Sequence, residues 1–312
     1  MLKRRFLRKI FVTSSIAVII LLIYLMPSVV DNNNNFSTSV EYVNLTNNVI
    51  YLEDEDGLLV ESYVAIVDND IISKVKELIK NLSSASKDII PNGLNSVMPN
   101  NIELIDVKYD ENIIELNFSK ELLELDNKKL IRLVEAITFT ILDLDNVNGI
   151  SIYVDGTNIN NFNDKIPGVL TKDFGINKKY HFKKTDNIIK YVIYYSKEIE
   201  NSNYYVPITK YVNSDNNKIN IVIEDLSSNY IYQPNLISVV KEKLELIDYK
   251  IDDNILVLNF NNAIFANDSE VKEEVVYPVI STIFSNFDVE SVIFQANGEE
   301  ILKKTAKNGW IF

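Results

Sequence analysis

Apolar and polar residues alternate through ELIDVKYDENIIELNF at 103–118, as expected for two strands joined by a tight turn. The phrase returns as ELIDYKIDDNILVLNF at 245–260. Extending both copies without a gap pairs residues 101–156 with 243–298, and 17 of the 56 positions are identical. The chain therefore contains a duplicated domain.

The first copy opens with VIYLEDEDGLLVESYVAIV at 49–67, where two extended runs flank the turn-forming EDEDG and predict a hairpin. An amphipathic helix capped by Asp68 or Asp70 follows, with an apolar face of Ile71, Ile72, Val75, Leu78, Ile79 and Leu82. A second helix begins after Asp126, and its apolar face consists of Leu130, Val134, Ile137 and Ile141. With GISIYVDG at 149–156 as a last strand, the predicted order is ββαββαβ. Helices over one face of a small mixed sheet give a two-layer domain of the α+β class.

The second copy repeats this order with local differences. YVIYYS at 191–196 takes the place of VIYLED, and YYVPI at 204–208 takes the place of SYVAI. NKINIVIEDLSS at 217–228 corresponds to the first amphipathic helix, although its β-branched residues favour a helix poorly. Pro278 replaces Ala136 in the second helix and predicts a kink or an early break.

The N-terminus combines the basic stretch MLKRRFLRK with an uncharged run from Ile10 to Met26. No A-x-A-like cleavage site follows the run, so a retained anchor is favoured over a cleaved signal peptide. The cations before the span place the N-terminus in the cytoplasm and the bulk of the chain outside it, as a single-pass protein of the cell membrane. The predicted organisation is a cytoplasmic tail (1–9), a transmembrane signal anchor (10–27), a flexible linker (28–46), a first domain (47–165), a connector (166–186) and a divergent second domain (187–312).

Charge narrows the range of partners. All 44 acidic residues follow Val30, together with 26 of the 31 basic residues, so this part of the chain is strongly acidic. Such a surface repels nucleic acid, and no nucleic-acid partner is expected. The basic cluster KKYHFKK at 178–184 is interpreted as part of a solvated connector, and docking to an anionic wall polymer or membrane is the alternative.

Several kinds of site are excluded by residue type. The chain has no cysteine, which excludes disulfides, thiolate metal sites and a lipid-modified N-terminal cysteine. Its single histidine, His181, lies in the connector without the apolar framing of a triad, so neither histidine-based triads nor multi-histidine metal sites are expected. DLDNVNG at 143–149 fails as an EF-hand loop because it lacks glycine at the sixth position. No metal or cofactor is predicted.

Acidic residues recur around both hairpins: Asp106, Asp110 and Glu111 in the first copy, and Asp248, Asp252 and Asp253 in the second. Wall hydrolases need only a pair of carboxylates, so a carboxylate-dependent hydrolase is one alternative. Tight turns also favour Asp and Asn, however, for their local hydrogen bonds and tolerance of left-handed backbone. Turn formation is the preferred interpretation, and no catalytic residue is predicted.

The segment IPNGLNSVMPNNIELIDVKYDENIIELNFS, with the later AITFTILDLDNVNGISIYVDG, resembles the GerM domain, also called the sporulation and germination domain. The matching positions are Gly93, Leu94, Pro99, Thr140, Asp155 and Gly156 in the first copy, and Ser238, Val239, Thr282 and Gly298 in the second. Asn235 and Lys241 stand in the places of Gly93 and Pro99. The chain thus resembles tandem GerM domains behind a membrane anchor.

The resemblance implies a fold like that of ring-building secretion domains and a function without catalysis. It implies an extracytoplasmic scaffold of sporulation and germination that binds envelope proteins, including those of the channel between mother cell and forespore. Family members are commonly lipoproteins, whereas this chain lacks cysteine and has a hydrophobic span instead. A peptidoglycan-binding protein is the alternative, suggested by the tyrosines Tyr194, Tyr195, Tyr204 and Tyr205.

Overall fold

Two hairpins and two four-stranded sheets form the framework of the protein. The computed structural model describes residues 46–67, 70–83, 90–226, 228, 235–238, 244–252, 254–265 and 271–306, all within the unit Leu45–Phe312. The predicted tail, anchor and nearly all of the linker lie outside these residues. Along the described parts of the chain, no helix combines the length and the apolar character that crossing a membrane requires.

The first copy has seven strands and two α-helices among the described residues. In chain order they are β1 (Thr46–Asp54), β2 (Leu59–Ile66), α1 (Ile71–Asn81), β3 (Leu94–Asn95), β4 (Leu104–Asp110), β5 (Ile113–Phe118), α2 (Asn127–Ile141), β6 (Gly149–Val154) and β7 (Thr157–Asn158). The predicted caps are confirmed, because Asp70 accepts the Ser73 N–H and Asp126 accepts the Lys129 N–H. Asp68 lies outside the described residues.

The second copy follows a short strand, β8 (Lys179–His181). Its elements are β9 (Ile188–Ile199), β10 (Ser202–Asn213), α3 (Lys218–Leu226), β11 (Leu246–Asp252), β12 (Ile255–Phe260), α4 (Glu273–Phe284), β13 (Ser291–Ala296) and β14 (Glu299–Thr305). The helix predicted from the repeat at 217–228 is therefore confirmed as α3, because burial of one apolar face outweighs the poor propensity of its β-branched residues.

Each copy contains two sheets, so the prediction of a single mixed sheet is wrong. The four-stranded sheets have the orders β4-β5-β6-β7 and β11-β12-β13-β14, with one parallel pair at the centre of each. The hairpins form separate sheets, with the orders β2-β1-β3 and β8-β10-β9. Each copy also ends in one more strand than predicted, because the Asp155–Gly156 and Asn297–Gly298 turns have positive φ and return the chain as a hairpin.

Helix α2 packs against more than one sheet. Nearly all residues from Leu130 to Ile141 are buried, on every side of the helix. One side carries Ala136 and Phe139, which pack with Tyr51 and Leu59 of the hairpin. The remaining apolar residues belong to the main core, which contains residues of the four-stranded sheet and of the other face of the hairpin. The helix therefore contacts both the hairpin and the core of the four-stranded sheet, rather than covering one face of a single sheet.

The predicted break at Pro278 does not occur. Helix α4 continues through Pro278 to Phe284. A proline at this position removes the backbone hydrogen bond to the carbonyl four residues earlier, but the buried face of Val275, Val276, Val279 and Ile283 holds the helix together.

The second hairpin aligns with the first differently from the prediction. The Thr140 hydroxyl accepts the N–H of Tyr51, and the equivalent Thr282 accepts the N–H of Tyr194. Val49 is therefore equivalent to Val192, one residue later than predicted. Strands β9 and β10 have 12 residues each, against 9 and 8 in β1 and β2, and this extra length also shifts the second strand.

The connector is largely packed against the protein, which corrects its interpretation as solvated. Ile166, Leu170 and Ile176 are buried, and Leu170 forms a two-way backbone hydrogen-bonded bridge with Ile150 of β6. The basic cluster forms β8, which pairs in parallel with β10. Its last residues, Lys183 and Lys184, are exposed as expected.

Candidate functional site

The repeated phrase builds the same surface feature in both copies. A β-bulge lies between Leu104 and Asp106 in β4, and an equivalent bulge lies between Leu246 and Asp248 in β11. The extra residues are Ile105 and Ile247, which are 54% and 48% exposed. A bulge bends its strand and redirects the side chain of the extra residue. Each copy therefore presents one isoleucine on the outer strand of its four-stranded sheet.

The acidic residues of the phrase serve the turn and the surface. Glu111 and Asn112 both have positive φ, as does Asn254 in the second copy, as tight hairpin turns require. Asp106, Asp110 and Asp248 are exposed side chains. Asp252 is also exposed and lies 2.8 Å from Lys250, and Asp253 is outside the described residues. The preferred interpretation of these residues as turn-formers agrees with this geometry.

Other matched residues of the family pattern also have structural contacts. Asn117 accepts the Gly156 N–H at 2.9 Å, and the equivalent Asn259 accepts the Gly298 N–H at 2.8 Å. These bonds hold the last turn of each copy against the central strands. Like the threonine contacts to the hairpins, these bonds show that the repeated asparagines and threonines maintain the fold of each domain.

A buried ion pair joins the two copies through their hairpins. The Lys197 ammonium lies 2.5 Å from Asp54 and 2.6 Å from Asp56. The Lys197 and Asp54 side chains are only 7% and 1% exposed. Lys197 and Asp54 are equivalent positions in the alignment that pairs Val49 with Val192. The duplicated position thus carries opposite charges in the two copies, and these charges neutralise each other.

A buried carboxylate forms a second link between the copies. Glu61 accepts the hydroxyl of Tyr51 at 3.0 Å and the hydroxyl of Tyr277, on α4, at 2.9 Å. Burial raises the pKa of Glu61 from 4.5 to about 7, and the nearby Asp143 also raises it. The two phenol hydrogen bonds and the Lys172 charge act in the opposite direction. We call the region where the two copies contact each other the junction. Near neutral pH this acid can exchange a proton inside the junction.

Asn177 connects the connector to both hairpins. Its side chain accepts the Leu59 N–H and donates to the carbonyls of Leu59 and Pro207 at 2.7 and 2.9 Å. Its backbone N–H donates to Glu135, at the position on α2 that corresponds to Tyr277 on α4. All polar groups of this buried amide are therefore engaged, which fixes the connector against the junction.

A cleft of about 480 Å³ opens between the copies, and its cations are engaged. Lys190 lies 2.5 Å from Asp173, and Lys218 donates to the Asn286 carbonyl at 3.1 Å. Burial lowers the pKa of Lys218, and the charge of Lys190 lowers it further. These lysines contribute to the walls of the junction.

Some tyrosines of the second hairpin are buried in the core, and others are partly exposed. Tyr194 and Tyr195 are buried, so they cannot form a wall-binding surface. Tyr205 is half-buried and stacks on Tyr277 with ring centroids 4.5 Å apart. Near this pair, Tyr63 of the first copy is 50% exposed.

The polar residues of the junction were not predicted from the sequence. The available signal was Glu61, which interrupts the apolar run of β2, because a charge in a buried run needs a partner; Lys197 stands beside Ser196 and Glu198 and gave no such signal. The partners themselves are 143 to 216 residues away along the chain for the two links between copies. Local pattern does not contain that information.

Comparison with known proteins identifies relatives of both copies. The family model Germane, described as sporulation and spore germination, matches residues 49–160 and 192–302. Spore germination protein GerM of Bacillus subtilis (strain 168) is 26% identical over 266 residues, covering 81% of this chain and 72% of that protein. The solved tandem GerMN domains of the sporulation protein GerM from Bacillus subtilis match with a TM-score of 0.71 and 22% identity, over 85% of this chain and 98% of that one. These findings confirm the resemblance, in two copies, and the tandem fold.

Proposed function

The chain belongs to the Germane family of sporulation and spore germination proteins, and we propose that it is a non-catalytic scaffold of the sporulation envelope. Residues 10–27 anchor it in the cell membrane in this proposal, with the tandem domains outside the cytoplasm. Its partners are other envelope proteins, including those of a channel between mother cell and forespore. Family membership makes the protein sporulation- or germination-related, and the anchor, the partners and the scaffold role are the proposed part.

The observation that carries the scaffold proposal is the repeated bulge with its exposed isoleucine. Ile105 and Ile247 occupy equivalent places on outer strands, which offer backbone groups for pairing with another chain. The junction between the copies is held by a buried ion pair and a buried carboxylate. Two similar outer strands, β4 and β11, on one protein are suited to holding two partners, or two parts of one partner, at a fixed separation.

Site-specific crosslinking in sporulating cells tests this proposal. A photoreactive amino acid placed at Ile105 or Ile247 is expected to capture envelope proteins. The control position is Leu123, which is also exposed and apolar but lies outside the bulges. Capture at Leu123 alone, or no capture together with normal spores from a deletion strain, would contradict the scaffold role.

Peptidoglycan binding is the second candidate, and the half-exposed Tyr63 beside the Tyr205–Tyr277 stack favours it. Sedimentation of the full chain with purified peptidoglycan separates the candidates. Loss of sedimentation in Tyr63→Ala, with crosslinking at Ile105 unchanged, would support a wall-binding role. Clearing of peptidoglycan in a gel assay that Asp106→Asn abolishes would instead require an enzyme.

A further inference from the structure

A cleft of about 600 Å³ on the first copy concentrates positive charge on an otherwise acidic chain of net charge −13. It lies between the start of helix α2 and the connector strand β8. Its charged lining consists of Lys128, Arg132, Glu135, Lys165, Lys178 and Lys179. We call it the lysine cleft. Five cations against one carboxylate is the reverse of the balance along the whole chain.

Two of the five cations are already neutralised by acidic partners. Arg132 lies 3.4 Å from Glu135 and 3.6 Å from Glu53. Lys178 lies 3.5 Å from Glu135, and its ammonium sits 3.5 Å from the centre of the Phe174 ring. These two groups form the floor of the cleft, and the buried amide of Asn177 holds that floor in place.

The other three cations are Lys128, Lys165 and Lys179. Within the part of the chain that the structure describes, none of them forms an ion pair. Burial lowers the pKa of Lys179, and the charge of Arg132 lowers it further. An anion beside Lys179 would offset the repulsion that Arg132 exerts on it. The N-terminus of α2 borders the cleft at Asn127, but the Asp126 carboxylate already caps it, so the lysines supply the charge for binding.

The lining is suited to phosphate. Lysine is a compact point charge with three donors and a common ligand of phosphate groups. The one arginine of the cleft is occupied by Glu53, Glu135 and Asn177. Tyr180, also in the lining, stacks on Tyr211 and remains 62% exposed, so an aromatic surface with a hydroxyl borders the charges.

We propose that the lysine cleft binds a short segment of a phosphodiester-linked polyol polymer. Its phosphates lie among Lys128, Lys165 and Lys179, and its polyol units lie against Tyr180. The volume suits a ligand of several linked groups rather than a single ion. A recessed cleft also suits a flexible polymer better than the flat surface of a lipid bilayer. This proposal is independent of the scaffold role.

The test measures binding of poly(glycerol phosphate) to the purified full chain in neutral detergent by thermophoresis at low and moderate salt. The triple variant Lys128→Gln, Lys165→Gln, Lys179→Gln is expected to bind at least about tenfold more weakly and with less dependence on salt, since counterion release scales with the number of phosphates neutralised. The control variant Lys76→Gln, Lys108→Gln, Lys120→Gln removes the same charge from exposed positions elsewhere and is expected to bind like the wild type.

A triple Lys→Arg variant at 128, 165 and 179 should retain most binding, and equal thermal unfolding of all variants would show that they are folded. Equal loss in the cleft and control variants would overturn the proposal, because it would indicate long-range charge only. Poly-glutamate of the same length binding as tightly would overturn the choice of phosphate. Phosphatidylglycerol in mixed micelles of the same detergent competing as well as the polymer, at equal accessible phosphate, would overturn the choice of a polymer.

Discussion

The two copies share their core and differ where they meet. Ile114, Leu116 and Phe118 of the first copy recur as Leu256, Leu258 and Phe260, all of them buried. The bulge, the threonine contact to the hairpin and the asparagine contact to the last turn are repeated as well. A duplicated sequence has therefore kept the contacts that each domain needs to fold.

Two pairs of diverged positions lie where the copies and the connector meet. Asp54 and Lys197 are equivalent and pair with each other. Glu135 and Tyr277 are equivalent on the two helices, yet Glu135 holds the connector while Tyr277 reaches the buried Glu61 of the first copy. Divergence at the junction has therefore made two similar domains complementary to each other. Substitutions at the diverged junction and in the shared core should consequently have separable effects.

The largest expected effect comes from removing the junction cation. Lys197→Met leaves the buried Asp54 carboxylate without its counter-charge, with only the Leu58 N–H as a donor, which costs about 3–5 kcal/mol of unfolding free energy. Chemical denaturation of the full chain measures the loss. The exposed pair Lys250–Asp252 is the control, since Lys250→Met there should leave the free energy of unfolding nearly unchanged. Similar losses in both variants would mean that the junction pair does not hold the copies together.

Glu61 gives the junction a dependence on pH. Its pKa is about 7 in the folded protein, above the ordinary value of 4.5, so the folded state binds the proton more tightly than the unfolded state. The stabilisation from this group is complete below about pH 4.5 and is lost as the pH rises through about 7, with a total of about 3 kcal/mol.

Glu61→Gln keeps the size of the protonated acid and removes its titration. The difference in unfolding free energy between wild type and variant should therefore change by about 3 kcal/mol between pH 4.5 and pH 8. Measurements of both proteins across this range provide the check. A constant difference would show that Glu61 titrates as an ordinary surface acid.

Glycine substitutions separate the junction from the turns within each copy. Gly93, Gly156 and Gly298 all have positive φ, where alanine costs about 1 kcal/mol. A Cβ at Gly93 would also lie 2.5 Å from Ile199 of the second copy, whereas Gly156 and Gly298 have nothing within 4 Å. Gly93→Ala should therefore lose about 2 kcal/mol more than the other two variants. Equal losses would mean that the second hairpin moves away at little cost.

Local pattern predicted the shared core well and the junction poorly. The apolar faces of α1 and α2, both caps and the hairpin turns follow from residues within a few positions of each other, and the repeat supplied α3 where propensity was weak. The place of the first hairpin depended on packing against the Ala136 and Phe139 side of α2, which no local period encodes. The register of β9 was displaced by one residue because the strands of the second hairpin are longer.

The smallest expected effects should be equal in the two copies. Thr140→Val and Thr282→Val each leave one hairpin N–H, that of Tyr51 or Tyr194, without its acceptor in a buried place, at a cost of about 1.5 kcal/mol. The control is Thr138→Val, because the Thr138 hydroxyl donates to the Val134 carbonyl within the same helix and its loss leaves no N–H unpaired. Denaturation of the three variants should give two matched losses and a smaller third. A large loss in one copy alone would show that the shared contacts have also diverged, because the same hydrogen bond would then contribute differently to the free energy of unfolding in two similar cores.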